Sequence, residues 1–165
     1  MTRKILLMAA AMMALSVIAL AATKPNFSGT WTMDRARSFG LPGNMNQTLT
    51  ITHKEDQIEL ETKLIQPGNE RVVKDTYLLD GQEHEFTPQT PPNAPPAKGK
   101  RTVTWLPGDK GLQVTEVTTA ETDKGPVTTQ VVRKWTITTQ GELTIDMYVD
   151  GPRGSYEAKR IFIKQ

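Results

Sequence analysis

The sequence predicts an all-β fold, an antiparallel up-and-down meander closed into a barrel of about ten strands. Short segments that alternate apolar and polar residues recur along the chain, threonine is abundant, and turn-forming residues separate the segments. Consecutive short hairpins leave no room for the helices that connect parallel strands. Because ten antiparallel strands in an open sheet would expose two long edges, closure into a barrel is the simplest arrangement.

The ten segments share a period of two, which places successive side chains on opposite faces of the sheet. They cover approximately residues 30–34, 47–53, 58–64, 70–79, 82–87, 100–106, 112–120, 127–138, 143–149 and 155–163. Residues 54–57 and 66–69 reverse the chain, and Asp80-Gly81 is a strong hairpin signal. Residues 88–96 are proline-rich and form a loop, because proline cannot donate to a hydrogen-bonded ladder. Glycine-containing turns end the sixth, seventh and ninth segments, at residues 107–111, 122–125 and 150–154.

Residues 1–21 have the three parts of a secretory signal peptide: a positive start at Arg3 and Lys4, an apolar run, and small residues before the expected cleavage site. Cleavage leaves residues 22–165 as one domain in the periplasm or the medium, with no membrane contact. A retained anchor is the alternative, since the apolar run is nearly long enough to span a bilayer. Without those two cations, Lys+Arg falls from 20 to 18 against Asp+Glu 18, so no nucleic-acid-binding surface is indicated.

Three arginines alternate with apolar residues on late strands, and a ten-stranded barrel is wide enough to enclose a cavity. If these faces point inward, guanidinium groups line an aromatic pocket. A ligand carboxylate or sulfate would then supply the partner that buried cations need. The candidate ligand-binding residues are Arg101, Trp105, Arg133, Trp135, Arg160 and Phe162.

Two alternatives to this pocket stay open. The barrel interior is solidly packed, or the arginines face outward or pair with acids of the chain itself. The acids considered are Asp75, Glu116 and Asp146.

Catalytic and metal chemistry has little support in the sequence. The chain has no cysteine, which excludes thiolate ligands, cysteine nucleophiles and disulfides. A metal site would need His53 and His84 to converge with a carboxylate from non-adjacent strands, so we expect solvated histidines and neither metal nor cofactor. None of the three serines after residue 21 lies in a G-x-S-x-G turn. No catalytic residue is therefore assigned, and nothing in the sequence identifies an enzyme.

Two terminal motifs resemble the calycins, the group of lipocalins and fatty acid-binding proteins. Residues 26–31, Asn-Phe-Ser-Gly-Thr-Trp, resemble the G-x-W motif of the first calycin strand. Residues 159–164, Lys-Arg-Ile-Phe-Ile-Lys, resemble the closing strand of fatty acid-binding proteins, and residues 48–58 resemble their early hairpin. The resemblance implies a lipocalin-like barrel, here a divergent bacterial secreted member.

The calycin resemblance also implies site roles. It implies a structural latch in which Arg160 packs on Trp31 at the closed end of the barrel, next to Gly29. In fatty acid-binding proteins an arginine and a tyrosine of the last strand hold the ligand carboxylate, but this chain has Phe162 at the tyrosine position. Residues 35–46 are too few for the two-helix lid of that family, so we expect a lidless barrel.

These observations lead to two hypotheses about function. The first is a secreted or periplasmic barrel that binds a small hydrophobic or amphipathic molecule, including anions, in its interior. The alternative is a protein-interaction or inhibitor module, whose packed barrel presents the loop 88–96 or the N-terminal arm 22–26 to a protein partner. The first predicts an apolar cavity with convergent arginines, and the second predicts a filled interior.

Overall fold

Ten antiparallel strands form one sheet in the computed structural model of the protein, which describes residues 23–40, 45–89 and 94–165. The predicted signal peptide and the centre of the proline-rich loop lie outside the described residues. The strands are β1 Gly29–Met33, β2 Asn46–His53, β3 Gln57–Gln66, β4 Asn69–Leu78, β5 Glu83–Phe86, β6 Ala97–Trp105, β7 Gly111–Thr122, β8 Gly125–Ile137, β9 Leu143–Gly151 and β10 Gly154–Lys164. The predicted all-β meander is confirmed.

The strand order is β4-β3-β2-β1-β10-β9-β8-β7-β6-β5, so every strand pairs with its sequence neighbour except at one junction and one gap. At the junction β1 pairs with β10, which joins the two ends of the barrel domain. At the gap β4 and β5 are the two edges of the sheet and are not hydrogen-bonded to each other. The sheet curls through 267°, which makes it a near-barrel.

The core fills the end of the barrel at which the odd-numbered strands begin and the even-numbered strands end, here called the closed end. Its largest fully buried side chains are Trp31, Trp135, Phe27, Phe162, Ile58, Leu112, Leu143 and Val114. Burying each such side chain contributes roughly 1.5–3 kcal/mol. The opposite end, called the open end, holds the interior polar residues described below.

A latch at the closed end joins the first strand to the last. Trp31 is buried, and its indole Nε1 donates a hydrogen bond of 2.9 Å to the carbonyl oxygen of Phe27. The Lys164 ammonium lies 5.3 Å from the Trp31 ring centroid. Gly29 has a φ of +135°, and a Cβ at this position would lie 2.6 Å from Cε of Lys164. The glycine therefore leaves room for the lysine stem over the tryptophan.

The prediction that Arg160 latches Trp31 is wrong, because the cation over the ring is Lys164. The β1–β10 register pairs Trp31 with Lys164. Arg160 lies four residues earlier on the same face of β10, which moves its side chain from the closed end to the middle of the barrel.

The described residues between β1 and β2 contain no helix: residues 35–37 form a turn, and Phe39 makes an isolated bridge to Lys159 on β10. The predicted absence of a two-helix lid therefore holds for residues 34–40 and 45. Among the described residues, no helix has the length and apolar character needed to cross a membrane.

We expect Gly29→Ala to lower the free energy of unfolding by about 1–3 kcal/mol, because alanine is strained at this φ and its methyl group would displace Lys164. Urea denaturation followed by tryptophan fluorescence measures this loss. Gly81→Ala is the matched control, since Gly81 also has a positive φ but no atom of the described residues lies within 4 Å of the added Cβ. A loss no larger than that of the control would contradict the packing role of Gly29.

Candidate functional site

A cavity of about 230 Å³ lies in the half of the barrel nearer the open end, between β2–β4 on one side and β8–β10 on the other. At about 30 Å³ for each water-sized group, it has room for roughly eight such groups. The apolar part of its wall consists of Leu49, Leu60, Leu64, Val73, Trp135, Ile145, Met147 and Phe162, with the ring of Tyr77. The interior is therefore apolar towards the core and carries its charged groups farther from the closed end.

A buried ion network forms one side of the interior. Glu116 on β7 accepts two hydrogen bonds of 2.6 Å, one from Nε of Arg101 and one from Nη1 of Arg133. Its side chain is only 9% exposed. Burial alone would raise the pKa of Glu116, but the charges of Arg133 and Arg101 outweigh burial and hold that pKa below its usual value. Glu116 is therefore an ionised carboxylate shared by two guanidinium groups.

Arg101 extends this network across the gap between the two edges of the sheet. From β6 it donates through Nη2 to Oδ1 of Asp75 at 2.9 Å and through Nη1 to the carbonyl oxygen of Thr76 at 3.2 Å, both on β4. Its guanidinium carbon lies 4.4 Å from the ring centroid of Tyr77 and 4.2 Å from that of Phe86. One side chain thus joins β4 to β6 where backbone hydrogen bonds do not.

The two rings that enclose Arg101 are themselves fixed by packing. The Phe86 ring covers Gly99 of the neighbouring strand so closely that a Cβ on this glycine would lie 2.4 Å from Cε1 of Phe86. Burial raises the pKa of Tyr77 to about 12, so its phenol is neutral. Tyr77 therefore contributes a ring face to the guanidinium of Arg101 and no charge.

Arg160 is the interior cation that the network leaves without a carboxylate partner among the described residues. Its guanidinium contacts the sulfur of Met147, and its Nε is buried without an acceptor in the described part of the chain. Burial lowers the pKa of Arg160, and the neighbouring cation of Arg133 lowers it further. Trp135 also lines the cavity, and its buried Nε1 has no acceptor within residues 23–40, 45–89 and 94–165. This wall of the cavity therefore presents donors and positive charge.

The structure places four of the six predicted ligand-binding residues on the cavity wall: Arg133, Trp135, Arg160 and Phe162. Arg101 does not line this cavity. It pairs with Glu116 and Asp75 instead, which is the alternative that the sequence left open. The third acid considered, Asp146, pairs with Lys159.

Trp105 lies outside this cavity, apart from the candidate arginines with which the sequence grouped it. It faces the interior at the end of β6, but four residues of strand carry it from Arg101 to the closed end. There it stacks on the ring of His53 at 6.0 Å, and the ammonium of Lys24 lies 4.6 Å from its centroid. The part of the N-terminal arm that contains Lys24 is thus held against the barrel.

Sequence reasoning missed four polar residues of the wall, namely Gln47, Thr62, Arg71 and Gln89. Arg71 could have been found, because it alternates with Val73, Asp75 and Tyr77 along β4 and so shares their inward face. Gln47 and Thr62 carry the same signal, since Gln47 alternates with Leu49 along β2 and Thr62 alternates with Leu60 and Leu64 along β3.

The two histidines occupy separate places. Nδ1 of His53 accepts a hydrogen bond of 3.3 Å from the backbone N–H of Phe27, and burial lowers the pKa of His53. Nε2 of His84 lies 2.9 Å from a carboxylate oxygen of Asp80 at the surface. Within the described ranges, no three His, Asp or Glu side chains converge as a metal site requires.

No protein-family model and no curated protein matches the chain. Among solved structures, the chain is similar to the ileal bile acid-binding protein of zebrafish, crystallised with cholic acid. The TM-score is 0.51 at 16% sequence identity, and the match covers 84% of this chain and 98% of that one. Likeness at this identity shows the fold alone. The ten-stranded barrel fold of fatty acid-binding proteins, implied by the terminal motifs, is confirmed.

We expect Glu116→Gln to lower the free energy of unfolding at neutral pH by about 3–5 kcal/mol, because it leaves two buried guanidinium groups without their shared anion. Chemical denaturation measures the loss. Glu61→Gln is the matched control: it removes a carboxylate from an exposed pair with Lys74, for which we expect a change within about 0.5 kcal/mol. Equal effects of the two variants would contradict the role of Glu116.

Comparison of the wild type with Glu116→Gln also predicts how the free energy of unfolding depends on pH. Since the pKa of Glu116 lies below its ordinary value of 4.5 in the folded state, the unfolded chain takes up this proton at a higher pH than the folded chain does. Its stabilisation is complete above the ordinary value and is lost as pH falls through the lowered one. We therefore expect the stability difference between wild type and Glu116→Gln to narrow over that interval. A constant difference would show that Glu116 is not the linked group.

Proposed function

We propose that the protein binds a small amphipathic anion inside its barrel, with the anionic head near Arg160 and the apolar part against the core wall. The observation that carries this proposal is Arg160 itself, a cation in the cavity wall that has no carboxylate partner among the described residues. Burying a charge without a partner is costly. A ligand carboxylate would supply both the charge and the acceptors that the described residues do not provide.

The remaining wall suits the apolar part of such a ligand. Leu49, Leu60 and Phe162 lie on it together with the Trp135 ring, so a short hydrocarbon chain would exchange water for apolar contact. The volume of about 230 Å³ is sufficient for a short hydrocarbon chain. The zebrafish protein of the same fold binds cholic acid, which supports a small hydrophobic molecule as the class of ligand here.

The interaction-module hypothesis requires a packed interior, and the cavity favours the binding barrel over it. The N-terminal arm adds to this preference because Lys24 rests on Trp105 instead of extending from the barrel.

We also propose that residues 1–21 direct the chain to the periplasm or the medium and are then removed. The support is the order of positive, apolar and small residues at the N-terminus. The intact mass of the protein recovered from its own export route tests this proposal, and we expect the mass of residues 22–165.

We expect Arg160→Gln to weaken octanoate binding by roughly tenfold or more, because a hydrogen bond to a charged group contributes about 1.5–3 kcal/mol. Isothermal titration calorimetry of the purified protein measures this change, and native mass spectrometry reports the bound mass. Lys159→Gln is the matched control, since it removes one charge from the adjacent residue on the opposite face of β10.

We expect the Lys159 variant to bind like wild type. Equal loss in both variants would point to general charge attraction, and no binding of octanoate or of other amphiphilic anions to the wild type would contradict the proposed function.

A further inference from the structure

Met147 differs from the other methionines of the described residues in its exposure. Met33 and Met45 are buried, with 4% and 7% of their surface exposed. Met147 on β9 is partly exposed and lines the cavity. The chain has no cysteine, so no thiol competes with the methionines for an oxidant. Because a peroxide must touch the sulfur that it oxidises, Met147 is the thioether that it reaches most easily in the folded protein.

Two cations lie beside Met147 on the inward face of the sheet. The register places Arg133 directly opposite it on β8 and Ala158 opposite it on β10, with Arg160 two residues farther along β10. The guanidinium of Arg160 contacts Sδ of Met147. A thioether sulfur is a weak hydrogen-bond acceptor, so this contact satisfies the cation poorly.

Oxidation would strengthen this contact. A methionine sulfoxide is polar, and its oxygen is a strong hydrogen-bond acceptor. Formed at Met147, this oxygen would lie next to the guanidinium of Arg160, which has no carboxylate partner in the described part of the chain. The sulfoxide would therefore take the place that the proposed function gives to the anionic head of a ligand.

We propose that Met147 is a modification site: a peroxide oxidises its thioether to a sulfoxide, whose oxygen binds Arg160 and displaces an anionic ligand. The sulfur forms a bond to one peroxide oxygen and loses two electrons, and the O–O bond breaks. With hydrogen peroxide, the proton of the transferred oxygen moves to the departing oxygen, which leaves as water. The displacement rests on the proposed function, whereas the oxidation and the new hydrogen bond do not.

Peptide mapping by mass spectrometry locates the modification. After brief treatment of the purified, folded protein with hydrogen peroxide, we expect Met147 to be oxidised several-fold faster than Met33 and Met45. Oxidation of the three methionines at equal rates would overturn the assignment of Met147 as the site.

The hydrogen bond to Arg160 has a test that needs no ligand. Urea denaturation compares reduced and Met147-oxidised protein in the wild type and in Arg160→Leu, which removes the guanidinium. We expect oxidation to lower the denaturation midpoint less in the wild type, because the variant offers the sulfoxide no guanidinium at position 160. The comparison of differences cancels the effect of the substitution itself. Equal lowering in both proteins would overturn the hydrogen bond.

Calorimetric titration with octanoate measures the displacement. We expect oxidised wild type to bind octanoate roughly tenfold or more weakly than untreated protein, because the sulfoxide occupies the guanidinium. Met147→Gln places a permanent carbonyl acceptor near the position of the sulfoxide oxygen, so it should bind weakly without oxidant.

Met147→Leu is the matched control, since it keeps an apolar side chain of similar volume that peroxide does not oxidise. It should bind like untreated wild type before and after treatment. Loss of binding in the treated leucine variant would assign the effect to another residue and overturn the proposal. Methionine sulfoxide reductases reverse the oxidation, and a loss that persists after mapping shows Met147 to be reduced would also overturn it.

The outcomes separate this inference from the proposed function. Octanoate binding that is unchanged by complete oxidation of Met147 would overturn the displacement and leave the cavity site in place. If untreated wild type binds neither octanoate nor other amphiphilic anions, the proposed function and the displacement are both overturned. Mapping and denaturation then still decide whether Met147 is the modification site and whether its sulfoxide binds Arg160.

Discussion

The gap between β4 and β5 is the constraint that the rest of the barrel has to meet, because a curled sheet with two unpaired edges opens easily. Arg101 bridges the gap from β6 to the carboxylate and backbone of β4. Its position depends on Glu116, which binds Arg101 and Arg133 together, and on the rings of Tyr77 and Phe86. The barrel is thus closed by a salt-bridged side chain where hydrogen-bonded strands would otherwise be needed.

This mode of closure determines the charge of the cavity. A buried ion network of this kind contributes little net stability compared with apolar packing, but it uses the two interior carboxylates near the gap. No acid among the described residues then remains for Arg160, which lies on the same side of the cavity as Arg133. The same residues that complete the barrel therefore leave one wall with donors and positive charge, and the apolar core below it defines the rest of the cavity.

The sequence was sufficient for the hairpins because their signals are local: turn residues such as Asp80-Gly81 and a period of two place each strand and its faces. It also placed Arg133, Trp135, Arg160 and Phe162 on inward faces. The position of a residue along the barrel axis was harder to predict from the sequence than the face on which it lies. Trp105 and Arg101 share a face, yet four residues separate the closed end from the ion network, and alternation alone does not say at which depth a ligand lies.

Two further differences between the sequence-based predictions and the structure, the cation over Trp31 and the partners of Arg101, depend on contacts between strands that are distant in sequence. The partner of Trp31 depends on the register between the first and last strands, and a shift of four residues exchanges Arg160 for Lys164.

The pairing of Arg101 with Asp75 depends on how far the sheet curls, since these strands lie near opposite edges. Asp75 and Arg133 both line the cavity and both belong to the ion network. A charged ligand in the cavity would therefore interact with Asp75 and Arg133, which also belong to the network that closes the gap. An anion bound at Arg160 would offset the repulsion between Arg133 and Arg160 and would stabilise the closed barrel by mass action.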